Sequence, residues 1–261
     1  MTITAHLSRN TRKRILGPLV FLILVTTWET VVRTGLVEQR LLAPPSAVAT
    51  TFWIALTEGP LLSHIASSGQ IFLVGYVIAV ILAVPVGLLM GMSRRLDLIL
   101  NPFVLGMYAT PSQAFFPLII IALGIGFMPR LLLVVLFVFF IVVISTRSAV
   151  ATVDPTYVKV GRSFGAPRHA MFTKILLPAA LPLIVAGLRL GVGRAAVGIF
   201  IGEMVGASEG IGYYILRAGT AYRIDELLVG VLVIVIATIA LTELLRDVER
   251  RMSPWRQRTE L

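Results

Sequence analysis

The stretch Asp154–Pro178, DPTYVKVGRSFGAPRHAMFTKILLP, decides how this chain is read. Asp154-Pro155 is a helix opening: the carboxylate can accept from free amides of the first turn, and proline at the first helical position gives up a donor that has no partner there. Gly165 ends the helix by taking up a positive φ, and Pro167 opens a second helix running toward Leu177 and Pro178. The product is a helix–turn–helix. On its first helix Tyr157, Val160 and Phe164 recur at i, i+3 and i+7, an apolar stripe facing away from Lys159 and Arg162. Such a stripe needs a groove. Either it packs on the protein's own helices or in a lipid interface, or it docks on a partner, where a packed helix can pass rigid-body motion between subunits.

What flanks this loop is apolar on a scale that water does not permit. Of 261 residues, 57% are hydrophobic and 14% charged, against about 25% charged in ordinary globular chains. Spanning helices need about 20 residues each, and the predominantly apolar runs supply about six, at residues 15–34, 65–93, 98–125, 130–148, 177–202 and 227–245. The reading is an all-α membrane protein, one transmembrane domain over 1–261, with the loop 152–176 between spans four and five. The uncharged run from Leu98 to Pro129 holds Pro102, Pro111 and Pro117, so the third span is expected to be broken or kinked. Between the first two spans, Leu41–Pro45 followed by Ser46 reads as a helix start, with Ser46 as cap and 47–57 as a short interfacial helix.

The net charge of +10 sorts by side. With both chain ends on the cytoplasmic side, sixteen of the 23 lysines and arginines lie there, among them Arg9, Arg12, Lys13, Arg14, Arg256 and Arg258. Only Arg33, Arg40, Arg130, Arg217 and Arg223 lie outside, and Arg189 and Arg194 fall within the fifth span. The positive-inside rule therefore sets the topology and removes the need to invoke nucleic acid. Cysteine is absent, and His6, His64 and His169 are too scattered to hold a metal. Lys13, Lys159 and Lys174 are the three lysines, and none follows a glycine as a phosphate-binding loop requires. The chain is thus expected to be no enzyme and to bind no cofactor or metal, any ATP hydrolysis belonging to another polypeptide. A membrane enzyme or stand-alone channel would want convergent acids or histidines at mid-depth, and the sequence offers none.

Charge inside the fifth span costs about 2.5–3.5 kcal/mol per arginine at mid-depth, so Arg189 and Arg194 should face protein or water. Counted from Pro178, Arg189 lies roughly 16 Å in and Arg194 roughly 24 Å, about 140° apart around the helix. Glu203 returns to nearly the face of Arg189. All three are candidates for a translocation pathway; a buried arginine tied to neighbouring acids is the plainer role for Arg189, Arg194 is the better candidate for substrate preference, and Glu203 would link the span to the outer loop. Gly206, Gly210 and Gly212 allow tight turns there, as in a re-entrant segment.

The run Lys159-Val160-Gly161, three residues, Gly165, nine residues, Ile175, one residue, Leu177-Pro178 resembles the EAA loop of bacterial ABC importer permeases, with Lys-Val-Gly standing for Glu-Ala-Ala. LLAPPSAV (41–48), GLLMGMSRRLDLILNPF (87–103), Pro111 with Pro117, LPAALPLIVAGLRLGVG (177–193) and GEMVGASEGIGYYI (202–215) extend the resemblance to the nitrate/sulfonate/taurine branch. The resemblance implies a type I importer fold in a bacterial inner membrane. It also implies a second permease copy, identical or related, two ATPase subunits that bind ATP-Mg, and an extracytoplasmic binding protein. The coupling residues it implies are Asp154, Tyr157, Lys159, Val160, Gly161, Phe164, Gly165, Ala166, Pro167, Ile175, Leu177 and Pro178. Small anions, organic ones such as sulfonates, taurine or aromatic carboxylates, or nitrate, are the substrates it favours; a neutral or cationic vitamin precursor, or a non-transporting scaffold, stands as the alternative.

Overall fold

The computed structural model of the chain describes residues 9–38 and 40–252, with side chains between Leu16 and Arg251. The basic side chains of residues 9–14 and those of Arg256 and Arg258, which the topology argument uses, lie outside the described residues, as does His6. Among the described residues all regular structure is helical. The elements are α1 (Arg9–Arg33), α2 (Pro45–Thr57), α3 (Leu61–Met92), α4 (Arg94–Ala109), α5 (Phe116–Leu123), α6 (Phe127–Ala151), α7 (Pro155–Ser163), α8 (Arg168–Met171), α9 (Leu177–Gly206), α10 (Ile211–Thr220) and α11 (Ile224–Met252). Five stretches are long and apolar enough to cross a bilayer: Leu16–Arg33, Leu61–Met92, Phe127–Ala151, Arg168–Gly206 and Ile224–Arg251. A sixth is the pair Arg94–Ala109 and Ser112–Leu123, bent by 85°.

The bend has one cause out of the three prolines expected to act. Thr110 is extended at φ −73° and ψ 132°, as a residue before proline must be, and Pro111 lacks the amide that would continue the ladder. Pro102 is accommodated inside α4, and Pro117 sits in the first turn of α5, where its missing donor costs nothing.

Two compact units emerge. The first ends at Leu61 and resumes over Ile215–Val231. In it, α1 is tied to α2 through Glu29, whose carboxylate accepts from the Ser46 amide (3.0 Å) and hydroxyl (2.7 Å) and pairs with Arg33. Ser46 is therefore not the cap of α2. The helix starts two residues earlier than expected, at Pro45, with Pro44 in the cap position, and a carboxylate from another helix takes the free amide. Thr51 Oγ1 donates to Asp225 at 2.8 Å.

The second unit comprises Leu62–Tyr214 and the chain from Leu232 on. Its centre is the pairing of α6 with α9, where small residues let backbones approach as membrane helices require. A Cβ at Gly187 would collide with Ser145, and one at Gly198 would lie 3.2 Å from the Val134 backbone. Val134, Val138, Val142, Val143 and Ala195 fill the seam. Away from it, large apolar side chains such as Leu73, Ile81, Leu98 and Phe103 stand exposed, consistent with a lipid surround.

Candidate functional site

The loop between the fourth and fifth spans folds as its local chemistry dictates. Asp154 Oδ1 accepts from the Thr156 amide at 2.8 Å, and that bond holds the Asp154 carboxyl below the ordinary aspartate range. Pro155 opens α7. At the other end Gly165 has φ +70°, its amide donates to Arg162 O (2.9 Å), and the Ala166 amide donates to Gly161 O (3.0 Å). This is the Schellman closure, which needs a residue free to adopt the left-handed region.

The second arm differs from the expected separate helix. After Pro167, α8 passes through a π turn at Phe172–Leu176 straight into α9, giving one 39-residue stretch from Arg168 to Gly206. Pro178 cannot donate to Lys174 O, and the wider π turn absorbs the missing bond and the bulk of the ring. The loop is thus a short helix hung on the extended end of a span. Its anchor is Gly161, buried, where a Cβ would lie 2.5 Å from Ile175 Cδ1 and 2.8 Å from Met171 Cε. The glycine of the Lys-Val-Gly departure is therefore a packing requirement.

Among the described residues nothing covers the stripe. Tyr157 is 56% exposed, Val160 49% and Phe164 86%, and Lys159 and Arg162 are exposed too. Packing on the protein's own helices is thereby removed from the readings of the stripe.

The three charged residues of α9 part company. Arg189 Nη1 pairs with Glu249 Oε2 at 3.4 Å, near the end of α11, so it is an arginine tied to a neighbouring acid. Glu203 is fully buried. Its carboxylate lies 2.7 and 2.9 Å from Ser68 Oγ and accepts from the Gly212 amide at 2.8 Å. The Ile211 amide donates to Ser68 Oγ at 2.8 Å and the Gly210 amide to His64 Nδ1 at 3.1 Å. Gly210, at φ +111°, has no room for a Cβ, which would fall on the Glu203 carboxylate. Glu203 thus ties α9 to the turn before α10 and faces no open space. Arg194 opens on a cavity of about 220 Å³ between the α4–α5 break and α6.

Sequence reasoning did not find Ser68 and His64, although their i, i+4 spacing places both on one face of the start of α3. It also missed Tyr108, which lies in the last turn of α4 and accepts from Arg194 Nη2 at 3.2 Å, and the pair between Asp97 and Arg147, with Nη2 to Oδ2 at 2.7 Å.

Residues 75–254 match the family described as the binding-protein-dependent transport system inner membrane component. The chain belongs to that family. It is a multi-pass ABC importer permease of the sulfonate and taurine branch. The taurine transport system permease protein of Escherichia coli (strain K12) is 33% identical over 89% of this chain and 86% of its own length. The putative aliphatic sulfonates transport permease protein of Bacillus subtilis (strain 168) is 29% identical over 94% and 88%. Among solved structures, the MetNI methionine ABC transporter in inward-facing conformations aligns with a TM-score of 0.67 at 17% identity, over 75% of this chain and 97% of the matched one. The permease therefore has the type I importer fold.

Proposed function

We propose that this permease works as one of two transmembrane subunits of an importer of small organic anions, driven by two separate ATPase subunits that grip α7. The permease itself hydrolyses nothing: ATP-Mg is bound in the ATPases, and an extracytoplasmic binding protein delivers the solute. Both chain ends lie in the cytoplasm, as the distribution of lysine and arginine favours. Relatives named for sulfonates and taurine support the anion class.

One observation carries the coupling reading: Tyr157, Val160 and Phe164 are exposed on a helix whose backbone is fully capped and whose seat is a buried glycine. Closure of the ATPases would push α7, and α7 would move α9, to which it is joined through Met171 and Ile175. Two variants test this. Phe164→Asp should leave membrane insertion and helix content intact while lowering capture of the ATPase about 30-fold, as loss of a central aromatic anchor does. Gly165→Asp should act likewise by disturbing the left-handed closure. Capture and solute-stimulated ATP hydrolysis at normal levels in both would sink the proposal.

A further inference from the structure

The cavity beside the α4–α5 break is where a cation has no acid to meet. Arg194 is exposed, and among the described residues no carboxylate pairs with it; its partner is Tyr108, whose ring lies 5.6 Å from the guanidinium carbon. Arg194 Nη2 donates to the Tyr108 oxygen, which leaves the phenolic hydrogen and the other guanidinium hydrogens free to donate. Gln113 adds an amide on the polar side. Leu136, Phe137 and Phe140 form the apolar wall, and neither aspartate nor glutamate lines the space.

We infer that this cavity is a substrate subsite for a monoanion with a short apolar body, the headgroup on Arg194 and Tyr108 and the body against Phe137 and Phe140. The inference rests on the organic-anion reading above and narrows it. A cavity of about 150 Å³ holds benzene, so 220 Å³ takes a body of that size with a sulfonate or carboxylate attached. An inorganic anion would leave the aromatic wall unmet. A zwitterion would bring an ammonium group with no acid to receive it, and desolvating that charge unpaired is costly. The subsite therefore selects plain organosulfonates or carboxylates over aminosulfonates.

The test is equilibrium dialysis of the permease, purified with its ATPase, against benzenesulfonate, the neutral benzamide and taurine. Benzenesulfonate should bind about tenfold or more tighter than either of the others, and Arg194→Gln should lose about tenfold or more, the worth of a charge-assisted bond. Tyr108→Phe should lose less, and Arg194→Lys should recover part of the affinity; unchanged ATPase capture in each variant excludes misfolding. Equal binding of benzenesulfonate by the parent protein and Arg194→Gln, or no saturable binding at all, overturns the subsite. Uptake by cells carrying the whole importer separates the two levels. Organosulfonate uptake without dialysis binding removes the subsite alone, whereas uptake of neutral precursors and of no organic anion removes the reading beneath it.

Discussion

The two ends of the 39-residue stretch Arg168–Gly206 solve the same problem in opposite ways. Beyond Gly206 the chain turns back and satisfies itself: Glu203, Ser68 and His64 meet the amides of Gly210, Ile211 and Gly212, and the carboxylate has no solvent exposure. Before Arg168 the backbone is equally well closed, by Asp154 at one end of α7 and the Gly165 turn at the other, yet the apolar side chains point out. An end with its polar atoms turned inward holds its own geometry. An end that caps its backbone and leaves Tyr157 and Phe164 uncovered is shaped to be held by something else.

Breaking the self-satisfied end should cost most. Glu203→Ala would leave the Ser68 hydroxyl proton and the Gly212 amide without an acceptor, each worth about 1–3 kcal/mol when left unpaired in the interior, for a loss of about 3 kcal/mol in all. Thermal unfolding of the detergent-solubilised protein reads this directly, and Glu203→Gln, which keeps an acceptor, should recover part of it. An unchanged midpoint in Glu203→Ala would mean that the network holds nothing.

Unseating the other end should cost less and show elsewhere. Gly161→Val would force branched carbons into Ile175 and Met171, an overpacking worth about 1–3 kcal/mol, which α7 can relieve by swinging off α8. The unfolding midpoint should fall less than for Glu203→Ala, while proteolysis within residues 152–167 accelerates. If the midpoint fell further than in Glu203→Ala, the two ends would not differ as described.

What could be read in the sequence follows the range of the forces involved. The α7 start and its Gly165 closure were legible because cap and Schellman chemistry act within about six residues. The spans were legible because uncharged runs of their length have few other homes. Contacts between distant positions were not. Nothing around Arg189 announces Glu249, and nothing around Ser46 announces Glu29, whose carboxylate displaced the expected serine cap. The third span shows a limit at short range: three prolines were visible, but the pattern did not tell that Thr110 turns extended before Pro111 while Pro102 is carried inside α4. Likewise the uninterrupted run from α8 into α9 depends on a π turn that periodicity alone does not announce.

The smallest effect sharpens the comparison at the Asp154 cap. Its carboxyl is held below the ordinary range chiefly by the Thr156 amide, so the ionised form is the one that stabilises α7. A depressed carboxylate contributes stability that is present above its unfolded value, near 3.9, and is lost as the pH falls through the still lower folded value. Around neutrality, then, the cap should be insensitive to pH, and only acid should loosen it. Amide exchange over residues 156–160, corrected for intrinsic rates, should be flat between about pH 6 and 8. It should quicken in Asp154→Ala at every pH in that range, and stay near the parent's in Asp154→Asn, whose side-chain oxygen still accepts. If Asp154→Asn loosened α7 as much as Asp154→Ala does, charge and not the hydrogen bond would hold the start of this helix, and its resemblance to the neutral Gly165 closure at the other end would be lost.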